Sequence, residues 1–458
     1  MQRSISAASA GDTSHRRDFL KTGTVLAAGT ALAGMTVPAV HAAPGDDTIR
    51  LALIGTGGRG SGAVANAINV GGKSVKLYAM ADLFNDRLSR SYTELKKRYG
   101  DQIDVTSDRK FIGFDAFRHA IDSLRPGSGD IAMLTAYSYV RPTHLEYAVK
   151  RGVNVFMEKP FAPDPGGLHR MLRAGKEAEK KNLKIAAGLM CRHSSARQAL
   201  IEKIRGGELG DVQFIRAYRM GRGGRLRTKP ANTDELEWQI RHRIFFHWAG
   251  SGRFIELLIH QVDECCWIKD AWPVAAHGLG GRCPNNTSCG QNLDTYSIEY
   301  TFPDGTKAQV NYRDIPGCFN DFATYLHGTK RAAQFSGNVH APTVQTYKDQ
   351  RVGKDFVDWK APKERRIPWE SEWEVLLEKI RRDEPHNETE RAVFADFASI
   401  MGRAAVHTGQ IVTWDQVTSS DFRFCPDVDK LDFGSRPPVT ANADGHYPVP
   451  IPGEWSEI

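Results

Sequence analysis

The sequence predicts an α/β protein: an amino half built on a parallel sheet, and a carboxyl half in which helices accompany hairpin-connected strands. Three observations carry this. The apolar run Ile49–Ile54 feeds straight into a glycine-rich turn and a helical segment at 61–70. Strand-like runs at 75–80, 131–135 and 153–157 then recur with helical segments between them, including 143–151, as in βαβ units. Further on, 212–218, 293–302 and 307–313 alternate in strand fashion, with Pro303-Asp304-Gly305 as a hairpin turn. Segments 373–380 and 391–408 carry apolar residues at helical spacings and are expected to pack on a sheet.

The turn after the first strand is Gly55-Thr56-Gly57-Gly58-Arg59-Gly60. In a strand–turn–helix context, Gly55 permits the tight turn, Gly57 lets the backbone approach a pyrophosphate, and Gly60 lets helix and strand pack closely. Free N–H groups at the helix start face the anion. Asp82 ends the second strand, about 20 residues beyond Gly60, where a carboxylate accepts hydrogen bonds from a ribose and repels a 2′-phosphate. The combination predicts a dinucleotide, NAD in preference to NADP. The strand at 153–157 delivers Glu158-Lys159-Pro160 to the carboxyl edge of the sheet, the crevice where doubly wound folds bind ligands. Thr135, Tyr137, Arg141 and His144 follow the preceding strand and are assigned, with Gly58, Arg59, Glu158 and Lys159, to the cofactor side.

Composition narrows the function classes. Hydrophobic residues make up 41% and charged residues 25%, which excludes wholesale disorder, collagen and coiled coil. The net charge is +7, of which residues 1–42 contribute +2, and no sustained basic run occurs. The densest stretch, Arg222, Arg225, Arg227 and Lys229, is interleaved with glycine and reads as a solvated loop, so nucleic acid is not expected as a partner.

Residues 1–42 read as an export leader. Arg16-Arg17-Asp18-Phe19-Leu20-Lys21 precedes a weakly apolar run from Thr22 to Val40 and small residues at Ala42 and Ala43, a plan that resembles a twin-arginine signal. The run is too interrupted by glycine, threonine and proline for a membrane span of about 20 apolar residues, so cleavage near Ala42, a periplasmic location and a mature chain without a span are expected. The remaining chain divides into a nucleotide-binding domain at 46–186, an α/β substrate and oligomerisation domain at 187–425, and an irregular tail at 426–458. Seven cysteines leave at least one unpaired within the chain. Cys283 and Cys289 flank a turn-rich loop and are either a disulfide or two free thiols; Cys265 and Cys266 read as small core residues. Without paired Cys-x-x-Cys motifs no metal site is expected.

Glu158-Lys159-Pro160 after an amino-terminal Gly-x-Gly-x-x-Gly resembles the signature of the glucose-fructose oxidoreductase, inositol dehydrogenase and rhizopine-catabolism family, Gfo/Idh/MocA. The resemblance continues through Arg141-Pro142-Thr143-His144, Gly188 to His193, Gly207 to Gly210, Ile259-His260-Gln261-Val262-Asp263 with Trp267, Pro385 to Glu388 and Thr408 to Asp415. The stretches Asp234 to Trp238 and Arg313 to Cys318 resemble exported, twin-arginine members more closely. The resemblance implies a Rossmann domain followed by an α/β domain with a large, open, mostly antiparallel sheet whose face covers the nicotinamide and forms the substrate pocket. It also implies homo-oligomers, dimers or tetramers. It places Lys159 beside the hydroxyl to be oxidised and makes His260 the acid/base. Many family members carry aspartate four residues before that histidine, where this chain has Glu256.

On a helix, Glu256 and Asp263 both share a face with His260, and a carboxylate beside an imidazole orients it and raises its pKa. Arg192 and His193 are candidates for substrate or cofactor contact, or equally for a structural ion pair. Trp238, Trp248 and Tyr312 are candidates for stacking on a sugar ring, with core packing as the alternative. The leading expectation is an NAD-dependent oxidoreductase acting on a secondary hydroxyl of a sugar, glycoside or polyol, its cofactor held through export. The alternatives are an NAD-dependent glycoside hydrolase working by transient oxidation and elimination, and a non-catalytic sugar-binding protein on the same scaffold.

Overall fold

Continuous apolar runs build the first sheet. The computed structural model describes residues 48–283, 290–337 and 343–458; the expected leader and Cys289, hence the pairing of Cys283 with Cys289, lie outside the described residues. Strands β1 (Ile49–Ile54), β2 (Val75–Asp82), β3 (Lys110–Ile112), β4 (Ile131–Leu134), β5 (Asn154–Met157) and β6 (Ile185–Ala187) form a parallel sheet in the order β3-β2-β1-β4-β5-β6. Every residue of β4 and β5 is buried, as a parallel sheet covered on both faces demands. Helices α1 (Gly58–Gly71), α2 (Asn85–Tyr99), α3 (Ala116–Asp122), α4 (Arg141–Lys150) and α5 (Pro165–Lys180) make the crossovers. The strand order reverses between β1 and β4, which opens a crevice at their carboxyl ends.

After α6 (Ser195–Arg205), β7 (Val212–Gly221) enters a nine-stranded sheet. Its other strands are β8 (Ala275–Gly281), β9 (Thr295–Thr301), β10 (Lys307–Asp314), β11 (Asp321–Gly328), β12 (Ala332–Ser336), β13 (Gln345–Tyr347), β14 (Val357–Lys360) and β15 (Val412–Thr413). The order is β14-β13-β12-β11-β7-β10-β9-β8-β15, antiparallel throughout except for β10 against β7. Two short helices, α7 (Glu235–Arg241) and α8 (His247–Gly250), lead into α9 (Gly252–Lys269), which is buried on nearly every side. A helix apolar around most of its circumference belongs inside a core, and α9 packs between β7 and α11 (Thr389–Thr408). Its Glu264 is fully buried and satisfied by Arg197 at 2.9 Å, Thr324 at 2.6 Å and Ser336 at 2.9 Å. Cys265 and Cys266 are buried in the same helix, and burial raises both thiol pKa values.

Helix α10 (Pro368–Arg381) lies late in the chain yet packs against α1, with Trp373 stacked on Phe156 of β5 at 4.4 Å between ring centroids. Trp373, Leu376 and Leu377 complete the core on that side of the parallel sheet. Helix α12 (Trp414–Ser419) begins with a Thr413/Gln416 capping box.

The segment 426–458 has little regular structure, but it returns to the core. Glu457 is fully buried, its carboxylate accepting from Arg403 at 2.8 Å, His407 at 2.8 Å and Trp455 at 2.9 Å. Burial pushes this carboxyl up, but Arg403 and His407 prevail and hold it well below the usual range. Arg403 also donates to the Ser251 carbonyl, just before α9, and to the Pro163 carbonyl, both at 3.0 Å. The carboxylate therefore braces two segments that carry site residues. Glu457→Ala leaves Arg403 buried without its counter-charge and should cost roughly 3–5 kcal/mol in urea unfolding; a loss under about 0.5 kcal/mol would show that this docking is dispensable.

Candidate functional site

The glycine loop stands at the crevice. Gly55 has φ +94°, a left-handed conformation that favours glycine, and a Cβ there would collide with the Ala136 backbone. A Cβ on Gly60 would strike the Gly55 carbonyl oxygen, whereas Gly57 and Gly58 have nothing within 4 Å of that position. Gly57 caps α1 without a side-chain hydrogen bond, so the amides at the helix start are available to an anion. These groups wall a cavity of about 460 Å³ together with Asp82, Thr135, Tyr137 and His144. Asp82 does more than face the cavity: its carboxylate accepts from the Thr56 amide at 2.7 Å, the Thr56 hydroxyl at 2.8 Å and the Phe84 amide at 3.0 Å, so it also shapes the loop. Open space over two glycines, free helix-start amides and a carboxylate at the end of β2 fit a dinucleotide. His144 is stacked on Phe117 at 4.2 Å, and burial, helped by Arg141, pushes its pKa down to about 3, so it walls the cavity as a neutral ring.

A second cavity, about 300 Å³, adjoins the first, and Arg59, Thr135, Tyr137 and Arg243 line both. Lys159, following β5, and His260, on α9, line this second cavity. Lys159 Nζ donates to the Glu256 carbonyl at 2.5 Å and lies 3.6 Å from its carboxylate. Arg243 reaches the same carboxylate oxygen at 3.6 Å. Glu256 thus shares the helix face of His260, as its spacing predicts, and its acidic group is engaged by Lys159 and Arg243. Arg59 pairs with Glu158 at 3.0 Å. Arg141 is buried beneath and donates to the carbonyls of Leu134, Ala136 and Pro160; burial lowers its pKa to about 10.

Three readings need correction. Asp263 takes both guanidinium contacts of Arg192, at 2.8 and 3.0 Å, so its carboxylate serves that ion pair. Arg192 lies over Trp267 and lines neither cavity, which makes the ion pair its role. Trp238, Trp248 and Tyr312 are 6%, 1% and 2% exposed and are core, not sugar platforms. Trp248 donates to Gln239 at 2.7 Å and Tyr312 to Asp314 at 2.8 Å, so their polar atoms are satisfied within the protein. Arg219, Arg243, Phe322 and Trp369 line the second cavity without belonging to any motif. The strand expected at 212–218 stops one residue short of Arg219, and nothing local marks the others.

His247, His407 and Glu457 bring potential ligand atoms within 4.8 Å of one another. Glu457 is saturated by Arg403, His407 and Trp455, and the other ring nitrogen of His407 bonds the Tyr296 hydroxyl at 2.8 Å. Glu457 and His407 are thus committed to hydrogen bonds, while both ring nitrogens of the buried His247 make none; the arginine on the shared carboxylate opposes a cation there.

The loop after Lys159 has its own anchor. Asp396 of α11 accepts from the Phe161 amide at 2.7 Å and the Ala162 amide at 3.1 Å. Burial pushes its carboxyl up to about 7, from an ordinary aspartate value of about 4. Between those values the folded protein holds a proton that the unfolded chain has released, so Asp396 lowers stability as pH rises from about 4 to about 7. Asp396→Asn, which keeps an acceptor without the charge, should gain on the wild type steadily across that window in urea midpoints. A constant difference between the two proteins would contradict the raised pKa.

No family model matches the chain. Its fold is shared with solved structures at low identity. The aldose-aldose oxidoreductase from Caulobacter crescentus, complexed with glycerol, superposes with TM-score 0.62 at 17% identity over 80% of this chain and 99% of that one. The myo-inositol 2-dehydrogenase from Lactobacillus plantarum gives 0.59 at 17% identity, with the same coverage. The scyllo-inositol dehydrogenase from Lactobacillus casei, with bound NAD(H) and scyllo-inositol, gives 0.58 at 18% identity, again over 80% and 99%. The likeness establishes the architecture: a Rossmann-like parallel sheet joined to a large, mostly antiparallel one.

Proposed function

We propose that the protein is an NAD-dependent oxidoreductase acting on a secondary hydroxyl of a sugar, glycoside or polyol. One observation carries the reading: an ammonium from the edge of the parallel sheet and an imidazole from α9 wall a single cavity that opens onto the glycine loop. The fold shared with sugar and inositol dehydrogenases supports it, as does the family resemblance of Glu158-Lys159-Pro160 and His260.

A bound nicotinamide supplies the hydride acceptor or donor. The protein's own part is acid/base and electrostatic. His260 accepts the hydroxyl proton on a ring nitrogen as the carbinol is oxidised, and returns it in the reverse direction. Lys159 Nζ, turned towards Glu256, keeps further N–H donors for the substrate oxygen and stabilises the negative charge that develops there. Glu256 balances Lys159 and Arg243, so the two cations are held in place without an acid on the substrate itself. Phe322, Leu257 and Trp369 give the cavity an apolar wall that strengthens these interactions. Asp82 favours NAD over NADP by repelling a 2′-phosphate.

The leader at 1–42 supports export by the twin-arginine route to the periplasm with the cofactor aboard, and the resemblance supports a homo-oligomer. No described helix is long and apolar enough to cross a membrane.

Purified protein with NAD⁺ and a panel of sugars, polyols and aryl glycosides should yield a keto product with stoichiometric NADH. Lys159→Ala and His260→Ala should each lower kcat about 10²- to 10⁴-fold while NADH affinity, read by fluorescence titration, is retained. Aglycone release without net NADH would favour the hydrolase, and carbohydrate binding without turnover the non-catalytic alternative; either outcome contradicts the dehydrogenase reading.

A further inference from the structure

Among the described residues, one cation on the wall of the second cavity has no carboxylate or carbonyl partner. Of the positive groups on its wall, Arg59 pairs with Glu158, Lys159 and Arg243 share Glu256, and Arg141 is committed to backbone carbonyls. Arg219 is different. It sits on β7 on the same face as the buried Ile215 and Ala217, between Tyr312 of β10 and Phe322 of β11 in register. Its guanidinium carbon lies 3.6 Å from the centroid of the Phe322 ring. Among the described residues no carboxylate or carbonyl takes a hydrogen bond or ion pair from it. The acid two residues beyond Tyr312, Asp314, is held by Arg253 and by the Tyr312 hydroxyl.

A half-buried guanidinium with unspent donors is costly unless something else meets it. On this wall the cations Arg59, Arg141, Lys159, Arg219 and Arg243 outnumber the carboxylates Glu158 and Glu256. Stacking on Phe322 fixes the guanidinium plane, which presents its N–H fork in one orientation; that fork matches the two oxygens of a carboxylate or phosphate. A volume of about 300 Å³ stands at the small end of ligand sites and suits one sugar unit.

We propose that the substrate is an anionic carbohydrate, whose carboxylate or phosphate is bound by Arg219 while its carbinol lies at Lys159 and His260. The inference rests on the dehydrogenase reading and adds the substrate's charge to it. Arg219 is then the residue that sets specificity: it grips a substituent away from the reacting carbon and, with Lys159 and His260, defines the orientation of the ring.

The test compares uronates and sugar 6-phosphates of gluco, galacto and manno configuration with their neutral parent sugars. Binding is measured by calorimetry on the full protein saturated with NADH, and turnover with NAD⁺. At least one anionic sugar should bind and react about 10²-fold better in kcat/KM than its neutral parent, the uronate and phosphate arms telling which anion is used. Arg219→Gln should collapse that ratio about 10²-fold, chiefly through KM, and Arg219→Lys should restore part of it by keeping the charge without the fork. A merely structural role would depress anionic and neutral sugars alike and leave the ratio standing, which overturns the proposal. So does a protein that binds NADH yet binds no anionic sugar more tightly than its neutral parent. Failure to bind NADH at all would instead remove the dehydrogenase reading.

Discussion

The arrangement depends on the contact of Lys159 with Glu256. The lysine follows a strand of the parallel sheet by two residues, and the glutamate belongs to α9, the helix that packs on the second sheet and carries His260 one turn later. A charged group at a domain edge is ordinarily free to sample solvent. Here the ammonium is tied to a helix carbonyl and faces the carboxylate of the same residue, whose oxygen Arg243 also meets. Position and charge are thereby set together, so an ammonium and an imidazole from two layers of the fold share one cavity wall.

Buried acids support this contact from behind. Asp396 takes the amides of the loop that follows Lys159, and Glu457 anchors Arg403, which in turn holds Pro163 and Ser251. Both acids lie in the core, where desolvation penalises charge, and their fates differ because their partners differ. Arg403 and His407 are strong enough to keep Glu457 ionised, whereas backbone amides leave Asp396 with a raised pKa. One brace is indifferent to pH near neutrality; the other is not.

Much of this was legible in the sequence where the signal was local. The glycine turn, Asp82 and the strand before Lys159 are contiguous patterns whose geometry follows from backbone sterics and burial. The spacing of Glu256 and His260 correctly placed them on one helix face, yet it could not say that Glu256 would turn to Lys159, or that Asp263 would serve Arg192, because those partners are far away in the chain. By residue type Trp238, Trp248 and Tyr312 fit either a sugar platform or the core; all three are buried, and internal acceptors satisfy the polar atoms of Trp248 and Tyr312. Arg219 and Glu457 were invisible for the same reason. Sheet register and the return of the last segment define their roles, and neither leaves a short motif.

The most direct test of the account is a crystal structure of the protein with NAD⁺ bound. The pyrophosphate is expected over the amides of Gly57 to Gly60, the adenosine ribose at Asp82, and the nicotinamide between the two cavities, with its C4 face open to Lys159 and His260. A nicotinamide ring lying away from those two side chains, or a glycine loop that admits no diphosphate, would contradict it.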